Sequence, residues 1–188
     1  MMQLNLEKNV AMNINLDKEV VNLKKVKGSL TWDMRKSSDG DFDLDLWGFV
    51  LNSNDQIDES SDIVYWGQKT HPTGCLSVPV DSRDGSKEET ININFETVPS
   101  TDSSLAVYVF LHKASQRNQT FGMISNAKFT LSNAEDGKEI VQYSINQYVS
   151  DTCLHVGNFK KVNGNWHFEP EAASGVFNEQ EVVNMYAN

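Results

Sequence analysis

The sequence predicts an all-β protein, a two-sheet β-sandwich with a short helix near its C-terminus. Two observations favour this class. Short runs rich in Val, Ile, Phe, Thr and Trp recur along the chain, with Asn, Asp, Gly and Ser between them. Apolar and polar residues alternate strictly over 91–95, as in a strand with one wet face, whereas 105–111 is apolar throughout, as in a central strand.

Ten segments have the length and the residue types of β-strands. They are 3–7, 28–33, 41–51, 63–66, 91–95, 105–111, 124–131, 139–145, 155–161 and 166–169. The turns between them are marked by dipeptides that accept left-handed backbone conformations. These are Asp39-Gly40, Asp84-Gly85, Asp136-Gly137 and Asn163-Gly164, of which the last two are predicted to close hairpins.

The segment after residue 177 has the pattern of a helix. Asn178 is a suitable N-cap, and Glu181 stands three residues later, where it completes a capping box. Apolar side chains then fall at Val182, Val183 and Tyr186. This spacing predicts a short C-terminal helix with one apolar face.

Composition excludes several classes of function. With 26 acidic and 16 basic residues the formal charge is −10, whereas nucleic-acid binding needs an excess of Lys and Arg on one face.

The length suits one domain over residues 1–188. No apolar run is long enough to span a membrane, and the N-terminus lacks the pattern of a secretory signal. We therefore expect a cytoplasmic protein with no transmembrane segment, in which Cys75 and Cys153 are reduced thiols.

A row of aspartates is the most unusual feature of the sequence. Four of them occupy every second position of 39–45, directly before the apolar run 46–51. In a strand these carboxylates share a face, about 7 Å apart. Because the strand runs on into the core, we expect Asp43 and Asp45 to be partly sheltered and to need a proton or a cation. Calcium, which takes roughly six to eight oxygen ligands in flexible geometry, suits such a site.

A second acidic segment, 80–89, can supply further oxygen ligands. It is not an EF-hand loop, because it lies between predicted strands and contains Arg83 and Lys87. The alternative is that both acidic segments are solvated turns in an acidic protein. The two segments together favour a calcium site, for which they offer these candidate metal ligands: Asp43, Asp45, Asp81, Asp84, Glu88 and Glu89.

The sequence carries no recognisable catalytic motif. The four histidines lack metal-binding spacing, and no nucleophile elbow, Walker loop or dinucleotide-binding glycine pattern occurs. The tryptophans are expected to fill the core rather than to form a sugar-binding surface. We expect a protein that is not an enzyme. The alternative is a metal-dependent hydrolase in which Asp43 and Asp45 do acid–base work on a sugar or a phosphate.

Several separated segments together resemble one family. Residues 23–33, followed by 41–45 and the apolar tail of that strand, resemble the opening of tellurium-resistance proteins of the TerD type. The strand 91–95 followed by Val98-Pro99, the strand ending at His112, and 119–127 are similar to later segments of the same family, in the same order. The resemblance spans about residues 3–170.

The resemblance implies a calcium-binding β-sandwich without an established reaction, acting with protein partners in bacterial stress, tellurite and phage resistance. An accessory protein of a phage or mobile element with the same fold is a further alternative. The acidic loop is shorter here than is usual in the family, and the segment after Pro170 differs. Matching positions are the following: Asp43 and Asp45 in the strand motif, Asp81 opening the acidic loop, Glu88 and Glu89 closing it, and Asp33 and Asn126 as ligands or turn-bracing residues.

Overall fold

The computed structural model describes residues 2–3, 14–15, 23–33, 42–79, 88–99, 104–145, 149–171 and 173–187. In this part of the chain the strands are β1 Met2–Gln3, β2 Ile14–Asn15, β3 Lys25–Asp33, β4 Leu44–Leu51, β5 Ile63–Val64, β6 Leu76–Ser77, β7 Glu88–Asn94, β8 Ser104–Leu111, β9 Ser125–Asn133, β10 Glu139–Ser144, β11 Cys153–Val162, β12 Asn165–Pro170 and β13 Ser174–Gly175. The helices are α1 Ala114–Arg117 and α2 Glu179–Tyr186, with short 3₁₀ turns at Ser60–Asp62, Phe95–Thr97 and Phe121–Met123.

The strands form two sheets. Sheet I has the order β1-β10-β9-β3-β7-β6, and sheet II has the order β2-β12-β11-β8-β4-β5, with β13 paired to β11. Within the described ranges, every pair of neighbouring strands is antiparallel except β1 and β10. The prediction of an all-β sandwich with a short C-terminal helix is confirmed. No helix of the described residues is long and apolar enough to cross a membrane.

The main core lies between the two sheets. Alternate residues of each strand point inward, so that Leu46 and Val50 of β4 are buried together with side chains of sheet I. Gly48 lies between them, and a Cβ atom there would be 2.4 Å from Cδ2 of Leu76 and 2.9 Å from Cδ1 of Ile91. The missing side chain therefore lets sheet I approach the backbone of β4 closely.

A second, smaller core covers the outer face of sheet II. It contains the residues of β4 that alternate with the inward ones, such as Trp47 and Phe49, together with Tyr108 and Phe110 of β8. Helix α2 lies over this face and buries Val182 to 1% exposure. Both faces of β4 are therefore apolar, as expected for a central strand.

The turn and cap predictions that fall on described residues are confirmed. Asn163 and Gly164 both have positive φ, at 52° and 84°, which is the two-residue hairpin turn between β11 and β12. The hairpin at Asp136-Gly137 joins β9 to β10. At the start of α2, Asn178 accepts from the backbone N–H of Glu181, whose side chain accepts from that of Asn178. The turns predicted at residues 39–40 and 84–85 lie outside the described residues.

Short elements are where the structure departs from the sequence-based expectations. The strand predicted over 41–51 begins at Leu44, and the one predicted over 63–66 is Ile63–Val64. Helix α1 was not anticipated, nor were the two-residue strands β2, β6 and β13. An element of so few residues shows no periodicity, because its position depends on the neighbour that it pairs with. Of the strand predicted over 3–7, residues 4–7 lie outside the described residues.

The two cysteines occupy different cores. Cys75 is fully buried between the sheets, and Cys153 is buried beneath α2, and both are free thiols. Burial raises the pKa of each thiol, that of Cys153 to about 12. Three tryptophans are buried, as expected, whereas Trp66 is 57% exposed.

Candidate functional site

The predicted site residues that the structure describes lie at one end of the sandwich. In sheet I, β3 ends at Asp33, and the antiparallel β7 begins with Glu88 opposite Thr31. In sheet II, β4 begins directly after Asp43. The start of β4 lies near the end of β3. Residues 151–152 bond both to Leu111, which stands opposite Leu44, and to Phe121, which is four residues from the partner of Asp33 in β9.

Asp45 is the most sheltered of these carboxylates. Its side chain is 17% exposed on the outer face of sheet II, and its Oδ2 lies 3.2 Å from Nδ1 of His112, without the alignment of a hydrogen bond. Burial, followed by the negative charge of Asp43, raises the pKa of Asp45 to about 6, against the opposing effect of His112. Glu179, at the start of α2, adds to the rise. Asp45 is thus a carboxylate with too little positive charge around it.

Asp43 lies on the same face as Asp45, since the two residues are two apart along an extended chain. Its carbonyl oxygen accepts from the backbone N–H of His112 at 2.8 Å. The expectation that both carboxylates are sheltered is correct for Asp45 and wrong for Asp43, which is exposed. The reason is position, because Asp43 precedes the first residue of β4 and extends beyond the covering elements.

Glu88 and Glu89 point to opposite faces of sheet I, because they are neighbours in β7. Glu88 is on the outer face, where its Oε1 accepts from Nζ of Lys27 at 2.9 Å and this contact lowers its pKa. Glu89 stands opposite Leu30, on the face of the buried Ile91. The structure therefore does not bring these two carboxylates to one point, nor does either share a face with Asp45.

Asp33 and Asn126 contact each other across neighbouring strands. The side-chain amide of Asn126 donates to Oδ2 of Asp33, and Asn126 has a left-handed backbone with φ 53°. Both side chains are exposed. In this structure the pair braces the start of β9 against the end of β3, which is one of the two roles that the sequence allowed.

Asp81 and Asp84 lie outside the described residues. Among the residues that are described, no group of three or more His, Cys, Asp and Glu side chains is placed to hold a metal ion. A metal at this end of the sandwich would therefore need oxygen atoms from the undescribed segments 34–41 and 80–87.

The family follows from a sequence comparison. The family model described as the TerD domain matches residues 2–184, nearly the whole chain. The chain belongs to the TerD family. The match extends past residue 170, where the resemblance read from the sequence stops, and it includes nearly all of α2.

Individual members of the TerD family are similar over most of their length. The tellurium resistance protein TerD of Serratia marcescens is 31% identical over 160 residues, which is 83% of this chain and 83% of that protein. General stress protein 16U of Bacillus subtilis is 29% identical over 160 residues, covering 82% of this chain and 83% of that one.

Solved structures share the fold of this TerD domain. A homologue of telluride resistance protein TerD from Streptomyces coelicolor A3(2), SCO6318, superposes with a TM-score of 0.69 at 17% identity, over 86% of this chain and 95% of that one. The protein of unknown function SAV2460 superposes with a TM-score of 0.72 at 16% identity, over 88% of this chain and 98% of that one. At these identities the likeness concerns the fold alone.

Two partners of Asp45 in this TerD domain were not found from the sequence. His112 comes beside it because β4 and β8 are neighbours with Asp45 opposite Phe110, and Glu179 approaches because α2 folds over sheet II. The apolar character of β4 and β8 indicates that both strands are central, but not that they pair. The spacing of residues along the sequence therefore predicts neither of these two contacts.

Another histidine, His71, is part of a separate polar cluster of the TerD domain. It is 5% exposed, and its Nε2 lies 3.2 Å from Oδ1 of Asp62. The other oxygen of Asp62 accepts from the backbone N–H groups of Asp58 and Glu59 at 2.9 and 2.8 Å. Both oxygens of this carboxylate are thus engaged within the cluster, which braces the segment before β5 against the turn at residue 71.

Proposed function

We propose that this TerD domain is a calcium-binding, non-catalytic interaction module of a stress-response system of the tellurite or phage resistance type. The names of its relatives, tellurium resistance protein TerD and general stress protein 16U, support the stress-response part. The partners are calcium and other proteins of a stress-response complex.

The observation that carries the calcium proposal is the position of Asp45. Its carboxylate is largely buried, it shares a face with Asp43, and it lies at the end of the sandwich where both acidic segments leave the described strands. A buried carboxylate needs a compensating charge. The nearest group, Nδ1 of His112, lies 3.2 Å away without the alignment of a hydrogen bond, so a divalent cation is the more complete partner.

The donor set consists of oxygen atoms, which suits calcium better than softer metals. In this proposal Asp43 and Asp45 hold the ion together with Asp81 and Asp84 of the acidic loop. Glu88 and Glu89 are further candidates, and Glu88 would first have to leave Lys27. Bound calcium would neutralise the repulsion between carboxylates and so hold the loops at this end together.

Calorimetric titration of the chelator-treated protein with calcium tests the proposal. An ion that binds only the folded chain adds about 2.7 kcal/mol of stability at a hundredfold excess over Kd, which for a domain of this size raises the melting temperature by roughly 5–10 °C. Magnesium should do less, because it requires a tight octahedron and retains its waters.

The matched variants are Asp45→Asn and Asp136→Asn. Both remove one negative charge and keep the shape of the side chain, but Asp136 lies in the β9–β10 turn, where its Oδ1 accepts from the backbone N–H of Lys138. Asp45→Asn should weaken the calcium response, and Asp136→Asn should leave it unchanged. The proposal is wrong if millimolar calcium does not change the melting temperature of the chelator-treated protein and gives no heat of binding. Both acidic segments would then be solvated turns.

Activity assays distinguish the alternative, a metal-dependent hydrolase, from this proposal. We expect no turnover of glycoside, phosphoester or ester substrates, with or without calcium. Metal-dependent turnover that Asp45→Asn abolishes, while the variant keeps its fold, would favour the hydrolase instead.

A further inference from the structure

A cleft of about 810 Å³ opens at the end of sheet II, between residues 112–120 and residues 176–179. Its volume lies within the roughly 300–1,000 Å³ of small-molecule sites. Phe110 and Leu111 at the C-terminal end of β8, together with Ser150 and Thr152, form its floor, and His112 lines it as well. Neither the TerD match nor the calcium proposal gives this cleft a role.

The floor of the cleft is held by backbone hydrogen bonds. Thr152 donates its N–H to the carbonyl oxygen of Gly175 at 3.0 Å, and its own carbonyl oxygen accepts from Leu111 at 2.9 Å. The neighbouring carbonyl oxygen of Asp151 accepts from Phe121 at 2.9 Å. These backbone groups are already paired with one another, so they are not available to a ligand. Recognition in this cleft therefore depends on the side chains of its lining.

The lining of the cleft is polar and nearly neutral. Eleven of its sixteen lining residues, all in the described part of the chain, have polar side chains. The charges are those of Lys113 and Glu179, which balance, beside the imidazole of His112. Because the lining holds no excess of positive charge, a phosphate would find little net attraction. A purely apolar ligand would leave the polar groups of the lining without partners.

Hydroxyl and carboxamide groups dominate the walls. Such groups both donate and accept hydrogen bonds, so they match a ligand that carries several hydroxyl groups, each of which also does both. The connection after β8 contributes most of them, and the floor contributes two hydroxyls: Ser115, Gln116, Asn118, Thr120, Ser150 and Thr152.

Phe177 supplies a flat apolar surface at the mouth of the cleft. Its ring packs against Gly175, where a Cβ atom would stand 2.4 Å from Cε2 of the ring. The absence of a side chain at Gly175 therefore lets the ring lie against the backbone, and 41% of Phe177 remains exposed. The ring is thus packed on the chain along one edge and is partly open to solvent elsewhere. A partly open aromatic ring beside hydrogen-bonding groups suits a ligand with one apolar and one polar side.

The geometry points to a neutral carbohydrate as the ligand of this cleft. The C–H face of a pyranose ring stacks on Phe177, and its hydroxyl groups bind the hydroxyl and carboxamide side chains of 115–120. No bond is made or broken, so the site binds without catalysis. The inference does not depend on calcium, because none of the residues that carry it is a proposed calcium ligand.

Saturation-transfer NMR on the chelator-treated protein, with D-glucose, D-galactose and N-acetyl-D-glucosamine as probes, tests the inference. At least one sugar should receive saturation, and its addition should shift backbone amide signals of 112–120 and 176–179. Phe177→Ala should weaken that binding about tenfold, as expected when one stacking contact worth about 1.4 kcal/mol is lost. Gln116→Ala should weaken it less, and Phe177→Tyr should preserve it.

Trp66→Ala is the control, because Trp66 is the other strongly exposed aromatic side chain among the described residues and does not line the cleft. This variant should leave sugar binding unchanged. Gln116 is exposed, so its variant keeps the test valid even if the change at Phe177 disturbs the fold. The inference is overturned if no probe receives saturation, if the shifts map elsewhere, if Trp66→Ala abolishes binding, or if adenosine binds where the sugars do not.

Discussion

The phenol oxygens of Tyr108 and Tyr186 lie 2.8 Å apart and join the central strand β8 to the last turn of α2. Burial raises the pKa of both phenols, so the contact is a hydrogen bond between two neutral hydroxyl groups. The ring of Tyr186 also packs on Phe49, with centroids 5.2 Å apart. The C-terminal helix is thus attached to sheet II by a polar contact inside an aromatic cluster.

We expect Tyr186→Phe to lower the free energy of unfolding by about 1–2 kcal/mol, because it leaves the buried hydroxyl of Tyr108 without its partner. Tyr108→Phe should cost less, since Tyr186 is less buried and its hydroxyl can turn to water. Urea unfolding of both single variants and of the double variant measures the coupling. Equal costs for the two single variants would contradict this account.

The raised pKa of Asp45, about 6 instead of 3.8, makes stability depend on pH. The folded protein binds this proton more tightly than the unfolded chain, so the contribution is fully present below about pH 4 and is lost as the pH rises through about 6. Without calcium, Asp45→Asn should therefore raise the free energy of unfolding at pH 7 by about 1–3 kcal/mol. Chemical unfolding at pH 4.5 and 7.0 checks this, with Asp136→Asn as the control that should gain nothing comparable.

His155 should produce the opposite dependence on pH. It stacks on Tyr108 with ring centroids 4.3 Å apart, and its burial lowers its pKa from 6.5 to about 4. The unfolded chain binds this proton more tightly, so stability is complete above about pH 6.5 and falls as the pH drops towards about 4. Between pH 6.5 and 5 the loss should be about 2 kcal/mol.

The measurement is made on the Asp45→Asn variant, because the titration of Asp45, which has the opposite effect on stability, is absent there. His155→Phe, which keeps an aromatic ring against Tyr108, should remove most of the loss. If the variant and its parent lose the same stability between pH 6.5 and 5, another group is responsible.

Gly48→Ala should destabilise the protein by about 1–3 kcal/mol, because the added methyl group would overpack the space between the sheets. The nearest atom is the end of the Leu76 side chain, at 2.4 Å. A second change, Leu76→Ala, should therefore cost less in the Gly48→Ala protein than in the wild type. A double-mutant cycle by urea unfolding measures this coupling, and purely additive costs would show that the crowding lies elsewhere.

Local chemistry was readable from the sequence wherever it acts over a few residues. The capping box of Asn178 and Glu181 and the turn at Asn163 and Gly164 were predicted correctly, since each depends on conformations that few residues accept. The central strand over 105–111 was recognised because a strand covered on both faces is apolar at every position.

Relations across the sandwich were not readable in the same way. Alternation correctly places Asp43 and Asp45 on one face, but it does not say that this face is the outer one of sheet II, because β4 is apolar on both sides. Which residue stands opposite Asp45 depends on the pairing of β4 with β8, a contact between segments some sixty residues apart. The exposure of a residue also depends on its position along an element. Asp43, for example, is exposed because it precedes the first residue of β4.

The two free cysteines can report separately on the opening of the two cores. Burial raises the pKa of Cys153 to about 12, so this thiol is almost wholly protonated at pH 7, and both cysteines are buried, with 0% of Cys75 and 2% of Cys153 exposed. Each thiol can react with a labelling reagent or an oxidant only when its own core opens. The labelling rate of Cys153 therefore measures how often α2 undocks from sheet II, and that of Cys75 measures how often the two sheets separate. The ratio of the two rates reports whether α2 detaches before the sandwich unfolds.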